Sequence, residues 1–254
     1  MAREVPLFDD FSPYYDLFVN WPNRLVNELP FIVDRLRQVG ARRIVDAACG
    51  TGQHGIALAR AGYQVTCAEP AAGMLRQAAR NAAEAQVAIE PVPAGFSELH
   101  TALGGQFDAV LCLGNSLVHA LTYQALVEAL ADFVAVLRPG GILIAQTRNY
   151  DRVLRERQRF MPLEAAEADG REYLFFRFLD FGEDLLTFNM VTMIKEGGVW
   201  RYEVGSTLHR PLTMVEADAA LGEAGFRQWD FYGDYQGHPF EAEESADLIL
   251  VAKR

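Results

Sequence analysis

The segment 46–55, DAACGTGQHG, places three glycines between an apolar run and a run with helical periodicity. Glycines at such a junction let the backbone turn tightly and approach a ligand, and the following helix offers free N–H groups and the positive end of its dipole. Gly50, Gly52 and Gly55 fit the spacing G-x-G-x-x-G, and Glu69 follows Gly50 by 19 residues, at the end of the next apolar run. This pattern indicates a nucleotide cofactor whose ribose hydroxyls bind to Glu69.

Asp46, four residues before Gly50, bears on the identity of that cofactor. The strand that enters a dinucleotide site is usually apolar up to the turn, because the pyrophosphate is negative. A carboxylate inside the strand favours a ligand with an ammonium and a sulfonium instead, and it is costly to bury unless it is paired. We expect S-adenosylmethionine, with S-adenosylhomocysteine as its product. A nicotinamide dinucleotide and a glycine turn without a ligand are the alternatives.

Two further polar residues follow apolar runs in the second half of the sequence. Arg148 comes directly after ILIAQT, and Asn115 directly after FDAVLCLG. Because the carboxyl ends of parallel strands form one edge of an α/β sheet, we expect both side chains there, beside the glycine loop. An arginine can bind a carboxylate through two parallel N–H bonds. Two alternatives stay open, since Arg148 could pair with Asp151 or Glu172, and Asn115 could cap the turn that follows it.

The elements that would position these residues alternate between strand and helix over the first two thirds of the chain. Short apolar runs indicate buried strands, and the longer amphipathic runs between them indicate helices. Such repetition with short connections requires a parallel sheet covered by helices on both faces. The predicted strands are 42–48, 63–69, 87–92, 107–114 and 142–147, and the predicted helices are 24–38, 54–62, 73–85 and 122–138.

The pattern changes in the last third of the chain. Residues 171–182, 184–196 and 198–210 indicate β-hairpin segments, with turns at FGED and EGG. A predicted helix, 214–225, and two final strands, 226–232 and 246–253, complete the chain.

These elements predict one α/β domain over residues 1–254, built on a Rossmann-like, seven-stranded, mostly parallel sheet with helices on both faces. An N-terminal helical cap would cover 1–40. An antiparallel β insertion after the fifth strand would cover 151–210 and form part of the acceptor site.

The composition limits the expected partners and compartment. The formal net charge is −11 and the basic residues form no stripe or tail, so we expect no nucleic-acid partner. We expect a cytoplasmic protein without a membrane partner, because the sequence has no apolar run of about 18 residues and no apolar signal core. Cys49, Cys67 and Cys112 lie in apolar segments without metal-ligand spacing, which predicts buried reduced thiols and no bound metal.

The glycine loop and two later segments resemble a known family. VDAACGTG (45–52), together with Glu69 and LRPGG (137–141), closely resembles the motifs of class I S-adenosylmethionine-dependent methyltransferases. LCLGNSLVHAL (111–121) and RNYD (148–151) resemble the matching segments of glycine N-methyltransferases. These two segments are much more specific than the glycine loop, which indicates only the superfamily.

The resemblance covers most of the chain and implies methyl transfer to a small-molecule acceptor, above all the amine of glycine, sarcosine or another carboxylate-bearing molecule. It places Asn115 and Arg148 at the amino-acid substrate, and Tyr14, in YYD, close to the reacting methyl group. It places Arg24 at the methionyl carboxylate of the cofactor. The predicted cofactor-binding residues are Trp21, Arg24, Asp46, Ala48, Gly50, Gly52, Glu69, Pro70, Gly95, Phe96, Leu113 and His119.

The chain departs from the family around the predicted acceptor. Thr207 and Leu208 stand where glycine N-methyltransferases have adjacent tyrosines, and the segment between Tyr14 and Arg24 is shorter than in the animal enzymes. Other amines or hydroxyl acceptors of a biosynthetic pathway, and a non-catalytic regulator that binds the cofactor, therefore stay as alternatives. Ordinary packing is the alternative role for Tyr14, Trp21 and His119. The animal enzymes are oligomers, so a homo-oligomer is one expectation for assembly.

Overall fold

The computed structural model describes residues 6–254, so residues 1–5 of the predicted N-terminal cap lie outside the described part of the chain. The strands, in chain order, are β1 (Arg43–Ala47), β2 (Gln64–Ala68), β3 (Glu90–Val92), β4 (Phe107–Cys112), β5 (Leu137–Arg148), β6 (Glu164–Ala168), β7 (Arg171–Phe181), β8 (Leu186–Glu196), β9 (Val199–His209), β10 (Gln228–Tyr232) and β11 (Asp247–Lys253).

The helices divide the same chain into alternating units. They are α1 (Pro6–Phe11), α2 (Tyr15–Phe18), α3 (Trp21–Gln38), α4 (Gln53–Arg60), α5 (Ala72–Glu84), α6 (Leu99–Ala102), α7 (Tyr123–Val136), α8 (Tyr150–Glu156) and α9 (Met214–Ala224), with a 3-10 turn at Ser116–His119. Within the described residues, no helix combines the length and the apolar character needed to cross a membrane.

The central sheet confirms the predicted fold. Its seven strands have the order β10–β11–β5–β4–β1–β2–β3, in which β5, β4, β1, β2 and β3 are parallel and β11 runs antiparallel to both of its neighbours, β5 and β10. Alternate residues of β1 face opposite sides, since Ile44 packs in a core with α3 and α4 whereas Val45 packs in a core with α7 and α9. The strand order reverses beside β1, so the carboxyl ends of β1 and β4 border the crevice where α/β sheets bind ligands.

The largest departure from the predicted elements is in the segment between β5 and α9. Residues Tyr150–Glu156 form helix α8 and Glu164–Ala168 form β6, both of which the hydrophobic pattern missed because each is short. The three predicted hairpin strands are present as β7, β8 and β9. Together with β6 they form an antiparallel sheet of four strands.

The boundary between α7 and β5 also differs from the expectation. The helix ends at Val136, and RPGG (138–141) belongs to the strand rather than to a separate turn. A register shift between Phe107 and Ala109 accommodates this start of the strand. Gly140 and Gly141 therefore lie within β5, because an irregularity in its pairing with β4 allows the strand to continue through them.

The N-terminal helices connect the two sheets. Leu7 and Phe11 of α1 pack with Phe175 and Met190 of the second sheet, while α1 also contacts α5 on the side of the central sheet. The backbone N–H of Gly73 in α5 donates to Asp9 Oδ1 at 2.5 Å. This contact holds α1 against the region where the glycine loop and the second sheet meet.

We expect Gly73→Ala to loosen α1 and to lower the free energy of unfolding by about 1–3 kcal/mol, because overpacking a tight contact costs that much. A Cβ at position 73 would lie 2.6 Å from Ser12 Oγ and 2.9 Å from the backbone oxygen of Asp9. Gly104→Ala is the matched control, since a Cβ there meets nothing within 4 Å. Urea unfolding of both variants checks the prediction, and equal losses of stability would contradict it.

Candidate active site

Two adjoining cavities lie beyond the carboxyl ends of the central strands. One, of about 490 Å³, is bordered by Ala48, Gly50 and Glu69 and is called here the glycine-loop cavity. The other, of about 450 Å³, is bordered by Arg148 and Arg177 among others and is called the arginine cavity. Their shared border consists of Phe8, Tyr15, Gly114 and His119. A molecule in one cavity would therefore meet a molecule in the other at these four residues.

The glycine loop takes up backbone conformations that favour glycine. Ala48, Gly50 and Gly52 have φ of 59°, 58° and 77°. Ala48 and Gly50 line the glycine-loop cavity, whereas Gly52 faces α5, where a Cβ would lie 2.9 Å from the Cβ of Ala78. Gly52 thus lets the loop pack closely on α5 rather than contacting a ligand from inside the cavity.

Glu69 is fixed by the loop that it faces. Its carboxylate accepts from the backbone N–H of Gly50 at 2.9 Å and from that of Ala71 at 2.9 Å. Burial raises the pKa of Glu69 to about 7, although these two hydrogen bonds act in the opposite direction. The carboxylate lines the glycine-loop cavity at the position that the sequence predicts for a ribose-binding acid.

Asp46 is almost fully buried, at 2% exposure. Its Oδ2 has no hydrogen-bond partner among residues 6–254. Burial, with a further contribution from the charge of Glu69, raises the pKa of Asp46 to about 7. A buried carboxyl oxygen without a partner is unfavourable, so Asp46 is suited to balance a cation that enters the site.

The other predicted cofactor residues divide into two groups. Pro70, Gly95 and Phe96 line the glycine-loop cavity, as does His119 at the shared border. Leu113 lies outside both cavities, buried in the core below them, and it is the next residue, Gly114, that borders both.

Trp21 also lies outside the cavities. Its indole N–H donates to Asp16 Oδ1 at 2.8 Å, and its ring packs edge-on against His54 with centroids 5.5 Å apart. The guanidinium carbon of Arg24 lies 5.2 Å from the Trp21 ring centroid. The geometry matches the packing alternative for Trp21 rather than direct contact with a cofactor.

The Asn115 side chain connects the end of β5 to α8 beside the arginine cavity, and it makes no capping hydrogen bond to the turn that follows it. Asn115 has a φ of 68°, its Oδ1 accepts from the backbone N–H of Arg148 at 3.0 Å, and its Nδ2 donates to the Tyr150 hydroxyl at 3.0 Å. The Tyr150 hydroxyl lies 3.3 Å from His209 Nδ1. The Tyr150 hydroxyl can accept from Asn115 and donate its own proton to His209 Nδ1, an arrangement that places the proton of neutral His209 on Nε2.

His209 is a weak base at this position. Burial, together with the neighbouring charges of His119 and Arg148, lowers the pKa of His209 to about 3. Its ring stacks on Phe188 and meets the ring of His119 edge-on, both with centroids 4.9 Å apart. His209 therefore stays neutral near pH 7.

Arg148 has neither of the acidic partners that the sequence offered. Asp151 accepts from the backbone N–H of Met214 at 2.9 Å, and Glu172 pairs with Lys195 at 2.7 Å. The Arg148 side chain donates to Gln158 Oε1 at 3.4 Å and makes no ion pair with any acid in residues 6–254. It is a half-buried cation that lines the arginine cavity, where the charge of Asp247 acts on it but forms no ion pair with it.

The tyrosine at the shared border is Tyr15 rather than Tyr14. Tyr14 packs on Phe11 and Tyr173, with ring centroids 6.2 and 6.0 Å away, and lies outside both cavities. Tyr15 lines both. Burial raises the pKa of Tyr15, so its hydroxyl keeps its proton near pH 7. Tyr15 therefore borders both cavities, whereas the placement of Tyr14 close to the reacting methyl group stays a prediction.

Several lining residues were missed by the sequence analysis, namely Phe8, Gln146, Tyr150, Arg177 and His209. Gln146 carried a signal, since it is a polar residue inside a buried strand, and its Oε1 accepts from the N–H groups of Gly114 and Asn115 at 3.0 and 3.2 Å. Tyr150 lies within the RNYD segment. The other three carry no local signal.

We expect Tyr150→Phe to lower the free energy of unfolding by about 1–3 kcal/mol, because it leaves Asn115 Nδ2 and His209 Nδ1 without their partner in a buried site. Tyr123→Phe is the control, since that hydroxyl bonds to Glu223 at the surface. Urea unfolding checks both variants, and a Tyr150→Phe protein as stable as the control would contradict the hydrogen-bond chain.

Comparison with known proteins agrees with this geometry. A family profile described as a methyltransferase domain matches residues 44–141. The glycine/sarcosine N-methyltransferase of Halorhodospira halochloris is 36% identical over 251 residues, covering 96% of this chain and 88% of that protein. The glycine/sarcosine N-methyltransferase of Parasynechococcus marenigrum is 31% identical over 231 residues, covering 90% of this chain and 78% of that protein.

A solved structure shows the same fold over nearly the whole chain. The S-adenosylmethionine-dependent methyltransferase from Clostridium acetobutylicum superposes with a TM-score of 0.79 at 16% identity, covering 97% of this chain and 98% of that one. The seven-stranded sheet, the glycine loop beside Glu69 and the sequence relatives together confirm the predicted cofactor, S-adenosylmethionine. The chain belongs to the class I S-adenosylmethionine-dependent methyltransferases, among which it is similar to the glycine/sarcosine N-methyltransferases.

Proposed function

We propose that this enzyme transfers a methyl group from S-adenosylmethionine to the nitrogen of glycine, sarcosine or a closely related amine that carries a carboxylate. The observation that carries the proposal is Arg148, a cation held at the arginine cavity without an acidic partner among residues 6–254. A half-buried arginine without an ion-pair partner is suited to bind a carboxylate through its planar fork. The names of the relatives from Halorhodospira and Parasynechococcus support the same acceptors.

The residues in and around the glycine-loop cavity fit the cofactor, with Asp46 buried outside the cavity wall and Arg24 on the border of the adjoining arginine cavity. Glu69 presents a fixed carboxylate suited to ribose hydroxyls, and the unpartnered Oδ2 of Asp46 favours a cationic ligand. Arg24, whose guanidinium lies beside Gly114, is suited to the methionyl carboxylate. When bound, the cofactor supplies a methyl group already activated by its sulfonium. We infer that Pro70, Gly95 and Phe96 border the adenine end.

The chain's own residues then have to hold the acceptor and exclude water. We propose that Arg148 binds the acceptor carboxylate, while Asn115 fixes the Arg148 backbone through the hydrogen bond at 3.0 Å. Tyr15, Phe8 and His119 at the shared border would shield the reacting atoms. Orientation of this kind can lower a barrier by roughly 7–11 kcal/mol.

The low pKa of His209 bears on how the acceptor amine loses its proton. With a pKa of about 3, His209 is too weak a base to take a proton from an ammonium group near pH 7. We infer that the amine loses its proton to water before it enters the cavity. The second sheet contributes Arg177, Phe188 and Met190 to this cavity, and we propose that it forms part of the acceptor site.

A methyl-transfer screen with labelled S-adenosylmethionine tests the proposal. The acceptors are glycine, sarcosine and dimethylglycine, with ethanolamine as an amine that lacks the carboxylate, together with a panel of hydroxy acids. We expect label on glycine or sarcosine and far less on ethanolamine. Label on the hydroxy acids alone, or on ethanolamine as readily as on glycine, would contradict the proposal.

A further inference from the structure

The Glu28 carboxylate lies buried beside Arg24 and uses both of its oxygens. Its Oε1 accepts from Arg24 Nε at 2.7 Å, and its Oε2 accepts from His54 Nε2 at 2.6 Å. Arg24 and Glu28 are one turn apart on α3, whereas His54 is in the first turn of α4, directly after the glycine loop. The three side chains therefore join α3 to the start of α4, directly after the glycine loop.

The protonation states of this cluster are matched to its hydrogen bonds. Burial raises the pKa of Glu28, but the hydrogen bond from His54 and the charge of Arg24 outweigh it and leave the pKa below its ordinary value. Burial lowers the pKa of His54 by more than Glu28 raises it, so His54 is neutral near pH 7. Because a carboxylate only accepts, His54 carries its proton on Nε2. The cluster thus holds one cation and one anion.

The bond to Glu28 determines which edge of the Arg24 guanidinium is left for a ligand. With Nε occupied, Nη1 and Nη2 are without a hydrogen bond to the described residues 6–254. They face Gly114, where a Cβ would lie 3.5 Å from Nη2, and Gly114 borders both cavities. The Trp21 ring, 5.2 Å from the guanidinium carbon, packs against the same group. A guanidinium held in this way presents two N–H groups to a carboxylate.

We propose that Glu28 and His54 are positioning residues for the cofactor, which hold Arg24 so that its two Nη groups take the carboxylate of the methionyl part of S-adenosylmethionine. His54 lines neither cavity and Glu28 borders the arginine cavity beside Arg24, and the sequence analysis assigned a role to neither side chain. The inference rests on the placement of the cofactor proposed above and is independent of the acceptor.

Two ligands that differ in the amino-acid part test the inference by titration calorimetry. S-adenosylhomocysteine has the carboxylate, whereas 5′-methylthioadenosine keeps the adenosine and the thioether but lacks the amino-acid part. We expect Glu28→Gln, which keeps the size of the side chain, to raise the Kd of S-adenosylhomocysteine at least tenfold. The Kd of 5′-methylthioadenosine should stay within twofold of its original value. A variant with a merely disturbed fold would bind both ligands more weakly.

His54 supplies a matched pair of variants. His54→Gln retains a donor for Glu28 and should raise the Kd of S-adenosylhomocysteine less than threefold, whereas His54→Leu removes the donor and should raise it at least fivefold. Adding Glu28→Gln to Arg24→Ala should cause no further loss, because residues that act through one group are not additive.

The outcomes distinguish failure of this inference from failure of the proposed cofactor placement or of the proposed acceptor. Equal weakening of both ligands by Glu28→Gln, or no weakening of either, would overturn it. If Arg24→Ala weakens both ligands equally, the placement of the methionyl carboxylate is wrong and the inference fails with it. If Glu28→Gln does not fold, the two His54 variants decide by the same criterion. None of these results depends on whether glycine is methylated, so failure of the proposed acceptor would be seen separately.

Discussion

Arg148→Ala is expected to weaken the binding of glycine or sarcosine by on the order of 2–5 kcal/mol, the cost of breaking a charge pair in an enclosed site. That range corresponds to a rise in KM of roughly 30-fold or more. The physical reason is that the acceptor carboxylate would lose the one arginine of its cavity that has no acidic partner among residues 6–254. The Kd of S-adenosylhomocysteine should change less than twofold. Steady-state kinetics and titration calorimetry on one preparation measure both quantities.

Two variants control this experiment. Arg148→Lys keeps the charge but loses the planar fork, so its KM should lie between those of the original protein and of Arg148→Ala. Arg152→Ala removes a partly exposed arginine that pairs with Glu156 on α8, and both constants should stay unchanged. If Arg148→Ala instead weakens the cofactor and leaves KM for the acceptor intact, the assignment of Arg148 is wrong.

The site residues that the sequence predicted lie directly after strands of the central sheet. The glycine loop, Glu69, Asn115 and Arg148 each follow an apolar run directly, so an alternating α/β pattern is enough to bring them to one edge of the sheet. The fold itself was predictable for the same reason, because β1, β2, β4 and the second half of β5 are short apolar runs that alternate with helices.

The site residues that the sequence did not predict depend on contacts between distant segments of the chain, or on which of two adjacent residues faces the cavity. Tyr150 meets His209 across 59 positions of sequence, and Glu28 meets His54 across 26, so neither pair leaves a local pattern. Tyr14 and Tyr15 are neighbours at the start of a four-residue helix, where one position turns a side chain by about 100°. Sequence patterns cannot distinguish between two adjacent tyrosines on such a short helix.

The raised pKa values of the Asp46 and Glu69 carboxyls predict that stability falls, and that cofactor affinity rises, as the pH increases. Burial raises both pKa values to about 7 in the folded protein, whereas ordinary values are near 4. Between about pH 4 and pH 7 the folded state therefore binds more protons than the unfolded state, so the free energy of unfolding falls as pH rises. A ligand that carries a cationic group, or that donates hydroxyl groups to Glu69, prefers the ionised carboxyls. Protons then compete with the cofactor below about pH 7.

We therefore expect the affinity for S-adenosylmethionine to rise between pH 5.5 and pH 7.5 by up to about tenfold per pH unit for each carboxyl that ionises on binding. Above that range it should reach a plateau. Calorimetry in two buffers of different ionisation enthalpy would count the protons released. Asp46→Asn cannot ionise, so it should release fewer protons and flatten the pH dependence. Asp108→Asn is the control and should change neither quantity, because Asp108 pairs with Arg138 at the amino end of β4, whereas the cavities lie beyond the carboxyl ends of the strands. An affinity that is constant across this range in the original protein would mean that neither carboxyl changes its charge when the cofactor binds.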